Sequence, residues 1–264
     1  MRCLTVVRYK KHRAPHPRAV HITNLSNNTQ NHKTMKQFSL FCRMMLLCMA
    51  CSLSIPAFSN DDAIAKGNGK ETGAPHVAVD LGLSVRWATC NVGATTPEGC
   101  GGYYAWGETV EKKNYEWSTY KWCNGSQDTM TKYCTDSIYG TVDNKTILDL
   151  EDDVAHIKWG GNWRMPTKAE QDELRTKCTW TWTTQKGVKG YKVTGPNGNS
   201  IFLPVTGYRY GTGLHNRTRS GIFWPSSLSN EDSSYAYNLY FDDCYRDELS
   251  YCRYYGYTVR PVCE

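Results

Sequence analysis

The sequence predicts an α+β fold, mainly antiparallel sheet with few helices and long loops. Three observations carry this. Only one helix is well marked, strand-like apolar runs follow it in quick succession, and Gly, Pro and Asn punctuate those runs as turns. Taken in order, Val77 to Leu83 and Val85 to Ala88 are short apolar runs with a tight turn between them, which predicts an early strand or hairpin. The helix starts at Thr167-Lys168-Ala169-Glu170. Thr167 caps it, Glu170 reaches back to the capping amide, and Pro166 bars helix upstream. Its predicted length is about ten residues, ending at Cys178, and Ala169, Leu174 and Lys177 leave only a modest apolar stripe. Strand-like runs follow at 179–183, 190–194, 200–203, 221–224, 236–241 and 257–262, broken by Gly187, Gly190, Gly195, Pro196-Asn197-Gly198 and Gly211. Trp87, Trp106, Trp159, Trp163 and Trp224 are the expected core aromatics.

The chain has 264 residues and a formal net charge of +6, but nine Lys/Arg and no Asp/Glu fall in residues 1–59. The remainder is slightly acidic, so no nucleic-acid partner is expected, because neutralising phosphates needs a basic face on the folded part. Aromatics at 12% exclude disorder for most of that remainder. No run of 18 apolar residues exists, so no membrane-spanning helix is expected. Residues 35–59 run from Lys36 through Met44-Met45-Leu46-Leu47 to Ala57-Phe58-Ser59, the order of an export signal, with cleavage expected after Ser59. A lipoprotein start at Cys51 is the alternative. Residues 1–34 are then an upstream extension, 60–75 a Gly- and Lys-rich linker, and 76–264 the domain. Eight cysteines lie in that domain with no CxxC among them; zinc is therefore a poor reading, and in an exported chain disulfides are the default, with pairing left open.

Four stretches of the domain carry a resemblance. They are Asp80 to Ala94 (DLGLSVRWATCNVGA), Tyr104 to Thr109 (YAWGET), Trp159 to Thr167 (WGGNWRMPT) and Thr258 to Val262 (TVRPV). Together they resemble the Fibrobacter succinogenes major paralogous domain family over about residues 77–264. The resemblance implies a C-type lectin-like fold, shared with the formylglycine-generating enzymes, and an exported, Bacteroidetes-type setting; it implies no defined activity.

The chemistry-bearing residues are sparse. Glu151-Asp152-Asp153 and Glu231-Asp232 offer oxygens for calcium, but adjacent acids are usually a solvated turn, and the Glu-Pro-Asn and Trp-Asn-Asp loops of sugar-binding lectins do not occur. His76, His156 and His215 have no neighbouring nucleophile. Cys244 and Cys252 fall in the general region of the reactive cysteines of the formylglycine-generating relatives, without the surrounding motif. No catalytic residue, metal or cofactor is expected. The tail from Ser233 to Tyr257 holds eight Tyr among Asp, Arg, Cys and Ser, the composition of antibody-like binding loops. Asp242 to Tyr255 is too polar for a core strand and is expected as an exposed loop.

The expected ligand-binding residues are Tyr240, Asp242, Tyr245, Arg246, Asp247, Tyr251, Arg253, Tyr254 and Tyr255 in this tail, with Tyr210, His215, Arg217 and Arg219 in an upstream irregular patch. All but Tyr240 and Asp242 are expected in one contiguous exposed patch, facing an unknown protein or glycan. Members of the family resembled often carry Asn-rich sequence at this place, and some exported lectin-like proteins are diversified by retroelements that mutate template adenines. An altered AAY codon yields Tyr, Asp, Cys, Ser or Arg but never Lys, Met, Gln, Trp or Glu. Ser233 to Tyr257 contains none of these except Glu248. The expected function is thus ligand binding by an exported, diversified face. The alternatives are an enzyme of the formylglycine-generating type and a purely structural surface protein.

Overall fold

The computed structural model describes residues 76–264; the expected extension, export signal and linker lie outside the described residues. Strands β1 (Ala78–Val79) and β2 (Arg86–Ala88) form the expected hairpin, with Val79 opposite Trp87. A long loop layer follows, containing 3-10 turns at Trp117–Thr119 and Leu150–Asp152. Helix α1 (Val154–Trp159) has only six residues, too few for any apolar period to show in the sequence. It forms because Asp153 caps it. Asp153 Oδ1 accepts the amides of Ala155 and His156 at 2.9 and 3.0 Å, and Oδ2 accepts that of Met165 at 2.7 Å. The acidic run is therefore no solvated turn, since Asp152 and Asp153 are both buried. Burial pushes the Asp153 carboxyl up against the opposing pull of those amides.

Helix α2 (Lys168–Lys177) starts and stops where the sequence predicts, with the Thr167/Glu170 capping box formed. Glu170 also takes a two-pronged ion pair from Arg164, at 2.9 and 2.7 Å, and Arg164 exchanges backbone bonds with Val262. The helix start is thereby tied to the end of the chain.

Antiparallel strands follow α2. The meander β3 (Thr179–Gln185), β4 (Val188–Thr194) and β5 (Ser200–Pro204) is succeeded by a ribbon of β6 (Tyr208–Tyr210) and β7 (Gly213–His215). Strands β8 (Gly221–Phe223), β9 (Tyr235–Phe241) and β10 (Arg246–Cys252) make a third sheet in the order β10-β9-β8, and β11 (Val262–Cys263) returns to pair with β2. Of the run expected at 257–262 only its end is strand; Tyr257 and Thr258 make single backbone bridges to Tyr104 and Phe223. The described fold is thus mostly antiparallel sheet with two α-helices.

The β8–β10 sheet separates two apolar clusters, because alternate side chains of a strand point to opposite faces. Ala236 enters one cluster with Trp106, Trp159 and Trp224; Leu239 and Phe241 enter the other with Trp87 and Leu174. Trp106 and Trp224 bury their rings with the indole N–H groups donating to the Pro225 and Tyr104 carbonyls, both at 2.9 Å. A third cluster, with Tyr115, Tyr120 and Met130, fills the loop layer. That layer is also held by charge. The Lys132 ammonium lies 2.7 Å from Asp149, 3.1 Å from Glu151 and 2.7 Å from Asp152, while the Tyr133 hydroxyl donates to Asp152 at 2.6 Å. The expected disulfides are not formed: all eight cysteines of the domain are free. Cys123 and Cys134 instead turn their thiols to backbone carbonyls, at 3.3 Å from Trp117 and 3.1 Å from Asp136.

Candidate functional site

Of Asp242 to Tyr255, expected as an exposed loop, only the two ends are turn. The most polar part, Arg246–Cys252, is strand β10, paired with β9 over seven residues from Arg246 opposite Phe241 to Cys252 opposite Tyr235. A strand this polar is stable because helix α2 supplies charges beside it. Lys168 lies 2.7 Å from Glu248, and Arg175 lies 3.5 Å from Asp247.

The pairing divides the expected patch. Arg246 shares a face with Phe241 and sets its guanidinium 5.6 Å from the centre of the Trp180 ring. Asp247 and Tyr251 are on the other face, with Tyr240. There Tyr245 lies over Tyr240 at 6.2 Å and donates to Asp247 at 2.9 Å. Asp242 holds the β9–β10 turn, accepting the amides of Cys244 and Tyr245 at 3.1 and 2.8 Å. Those bonds outweigh its partial burial and keep its carboxyl below the usual range.

Arg253 is the clearest correction. It is fully buried, not exposed. Its guanidinium donates to the Tyr120 hydroxyl (2.8 Å) and to the carbonyls of Lys132 (3.0 Å), Tyr133 (3.1 Å) and Ser233 (2.9 Å), and lies 4.9 Å from the Trp106 ring centre. Carbonyl oxygens and aromatic faces replace the carboxylate that a buried cation normally requires. The residue binds the loop layer to the tail and does not meet ligand.

What the fold does bring together is a group of rings. Tyr255 stacks on Tyr254 (4.8 Å) and meets Tyr210 (5.4 Å), Tyr208 (5.8 Å) and Tyr251 (6.3 Å); His215 stacks on Tyr208 at 5.3 Å. Underneath, Tyr254 packs edge-on against Trp117 at 4.7 Å, and Tyr255 stacks on buried Tyr257 at 5.9 Å. Tyr210 and Tyr251 are 45% and 47% exposed, so the group opens to solvent at its rim and is supported at its base. Burial pushes the Tyr255 and Tyr240 hydroxyls up to about 12, which leaves them neutral, able to donate as well as accept.

Arg217 and Arg219 are exposed on the turn after β7. Gly207 anchors that turn. With φ +64° it passes so close to the ribbon that a Cβ would fall 2.1 Å from the His215 carbonyl oxygen. Tyr208 and Trp117 belong to the ring group and were not expected there; Tyr208 lies two residues before Tyr210, in the same strand, and Trp117 has no local signal.

Neither cysteine of the tail sits in a reactive setting. Cys244 is exposed, and its hydrogen bond from the thiol to Asp242 and the nearby charge of Asp243 push the thiol up. Cys252 is half-buried, and burial pushes its thiol up. No family model, no curated protein and no solved structure matches the chain.

Proposed function

We propose that this chain is an exported ligand-binding protein of C-type lectin-like fold, related to the Fibrobacter succinogenes major paralogous domain family, whose recognition face is the ring group around Tyr255. The observation that carries the reading is a solvent-open cluster of tyrosines, Tyr210, Tyr251, Tyr254 and Tyr255, held on buried rings. Rigid amphipathic rings give contact area at little entropic expense, and their hydroxyls give direction. His215 extends the face, and Arg217 and Arg219 stand on the neighbouring turn.

Diversification of this face by a retroelement is part of the proposal. Glu248, which an altered AAY codon cannot produce, is a helix-paired residue with an 11% exposed side chain, as expected of a position outside a variable set. The enzyme reading is disfavoured by the raised thiols of Cys244 and Cys252, since a nucleophilic cysteine needs a lowered one.

The test is selection against glycan and displayed-protein libraries with the full chain and with a Tyr210→Ala/Tyr255→Ala variant. Ligands of the parent should bind the variant at least tenfold more weakly at unchanged melting temperature; undiminished binding would refute the face. At the gene level, tyrosine, aspartate and cysteine codons ending in C or T, beside an adenine-rich copy and a reverse transcriptase gene, are expected.

A further inference from the structure

Strand β10 ends its sheet, and its outer edge carries groups that nothing among the described residues pairs with. The direction of each backbone group follows from the ladder. Asp242 N–H donates to the Tyr245 carbonyl and Arg253 N–H to the Ser234 carbonyl, so the odd-numbered residues of the strand bond inward to β9. The N–H and C=O groups of Arg246, Glu248, Ser250 and Cys252 therefore point outward. Two of them are occupied locally: the Glu248 amide donates to Asp247 Oδ1 at 2.9 Å, and the Cys252 carbonyl accepts from Tyr255. The N–H and C=O of Arg246 and Ser250, the Glu248 C=O and the Cys252 N–H remain, with Ser250 at their centre.

Beside them is a groove of about 380 Å³ lined by Ser229, Glu231, Tyr237, Glu248, Ser250 and Tyr251 among others. Its lining contains two carboxylates, and the one cation against it, Lys168, lies 5.1 Å from the Tyr237 ring centre and is engaged by Glu248. Glu248 gives Oε1 to Lys168 at 2.7 Å, but Oε2 is buried without any hydrogen-bond partner. A buried carboxylate oxygen left without a donor is unfavourable, an incentive to bind one there.

We propose that this edge is a second binding site, which takes an extended peptide segment of a partner protein as an added strand, with a Lys or Arg opposite Ser250. Tyr237, Glu248 and Ser250 lie on one face of the sheet. A residue placed opposite Ser250 presents its side chain on that same face, within about 5 Å of its cross-strand neighbour. A basic side chain there meets the exposed Glu231 directly and pairs with Glu248 Oε2, buried in the unbound domain, once the Glu248 side chain turns toward it, while the peptide backbone satisfies Ser250. The site is separate from the ring group around Tyr255, sharing only Tyr251 at its margin.

Fluorescence anisotropy with the full chain tests it, using a labelled alternating Thr/Val peptide with a central Lys, the same peptide with norleucine, and a third N-methylated at the Lys. The Lys peptide should bind about tenfold more tightly than the norleucine peptide, and the N-methyl peptide should lose binding. Glu248→Gln should remove the preference for Lys, and Ser250→Pro, tolerated because that amide faces outward, should abolish binding of both plain peptides. Tyr210→Ala should leave the Lys preference intact, so failure of the ring-group reading would be seen separately. Equal affinity for Lys and norleucine, undiminished binding of the N-methyl peptide, or no binding at all would overturn the proposal. So would a dimer of the chain that Ser250→Pro dissociates while no peptide binds, since the occupant would then be a second copy.

Discussion

Arg253→Ala should destabilise the domain more than any other single change in the tail. The side chain makes hydrogen bonds to three backbone carbonyls and one tyrosine hydroxyl, all in a fully buried setting. Alanine leaves these four acceptors facing a void, and each unsatisfied buried group is worth about 1–3 kcal/mol. Part of that is offset because the mutant no longer strips water from a guanidinium, so the net loss is about 4 kcal/mol, as for breaking other buried charged networks. For a domain of this size the melting temperature should fall by about 8–16 °C. Urea denaturation followed by tryptophan fluorescence measures the change, and Trp106, stacked under the guanidinium, should report it directly. Arg253→Lys keeps a charge but loses the planar fork and should recover only part of the loss. Arg246→Ala, seven residues earlier in the chain and itself exposed, is the control, with a loss within about 0.5 kcal/mol. An Arg253→Ala loss below 1 kcal/mol would refute the view that this residue holds the loop layer to the tail.

Three further outcomes are expected. Gly207→Ala should destabilise the domain by more than 2 kcal/mol and disorder the ribbon that carries Tyr210 and His215, seen as raised amide exchange over 208–215, because the new methyl would clash with the His215 carbonyl. Glu170 is held below its usual range, Arg164 and the Thr167 amide overcoming the effect of burial; a carboxyl lowered on folding adds stability that is present at neutral pH and lost as pH falls through its folded-state value. Glu170→Gln should therefore flatten the acid limb of the stability curve below about pH 4.5. Maleimide should label Cys244 first among the described cysteines, slowly at neutral pH and faster in Asp242→Asn, since Asp242 disfavours its thiolate.

The parts of the fold that were legible in the sequence are those whose signal is local. The capping box at Thr167 and Glu170 is closed by residues three apart, and β3, β4, β5 and β9 are runs whose own composition suits a pleated, half-buried surface. What was illegible depends on remote partners. Strand β10 looked like a loop because Asp247 and Glu248 are tolerable only beside Arg175 and Lys168, some seventy to eighty residues earlier in the chain. Arg253 looked like a surface anchor because its acceptors at Tyr120, Lys132 and Tyr133 come from a distant loop. The tyrosines of the tail are visible as a group in the sequence, yet their division between the two faces of the sheet follows from a register that residue types alone do not give.

Lys132 gives the loop layer a property of another kind. Three carboxylates converging from Asp149, Glu151 and Asp152 would ordinarily repel one another, and here an ammonium that belongs to the same chain sits among them. A counter-ion that is covalently attached is present at fixed stoichiometry and cannot be diluted away or stripped by a chelator. Where a bound cation would come and go with the medium, this one arrives with the chain, so the three carboxylates have a partner wherever the domain folds.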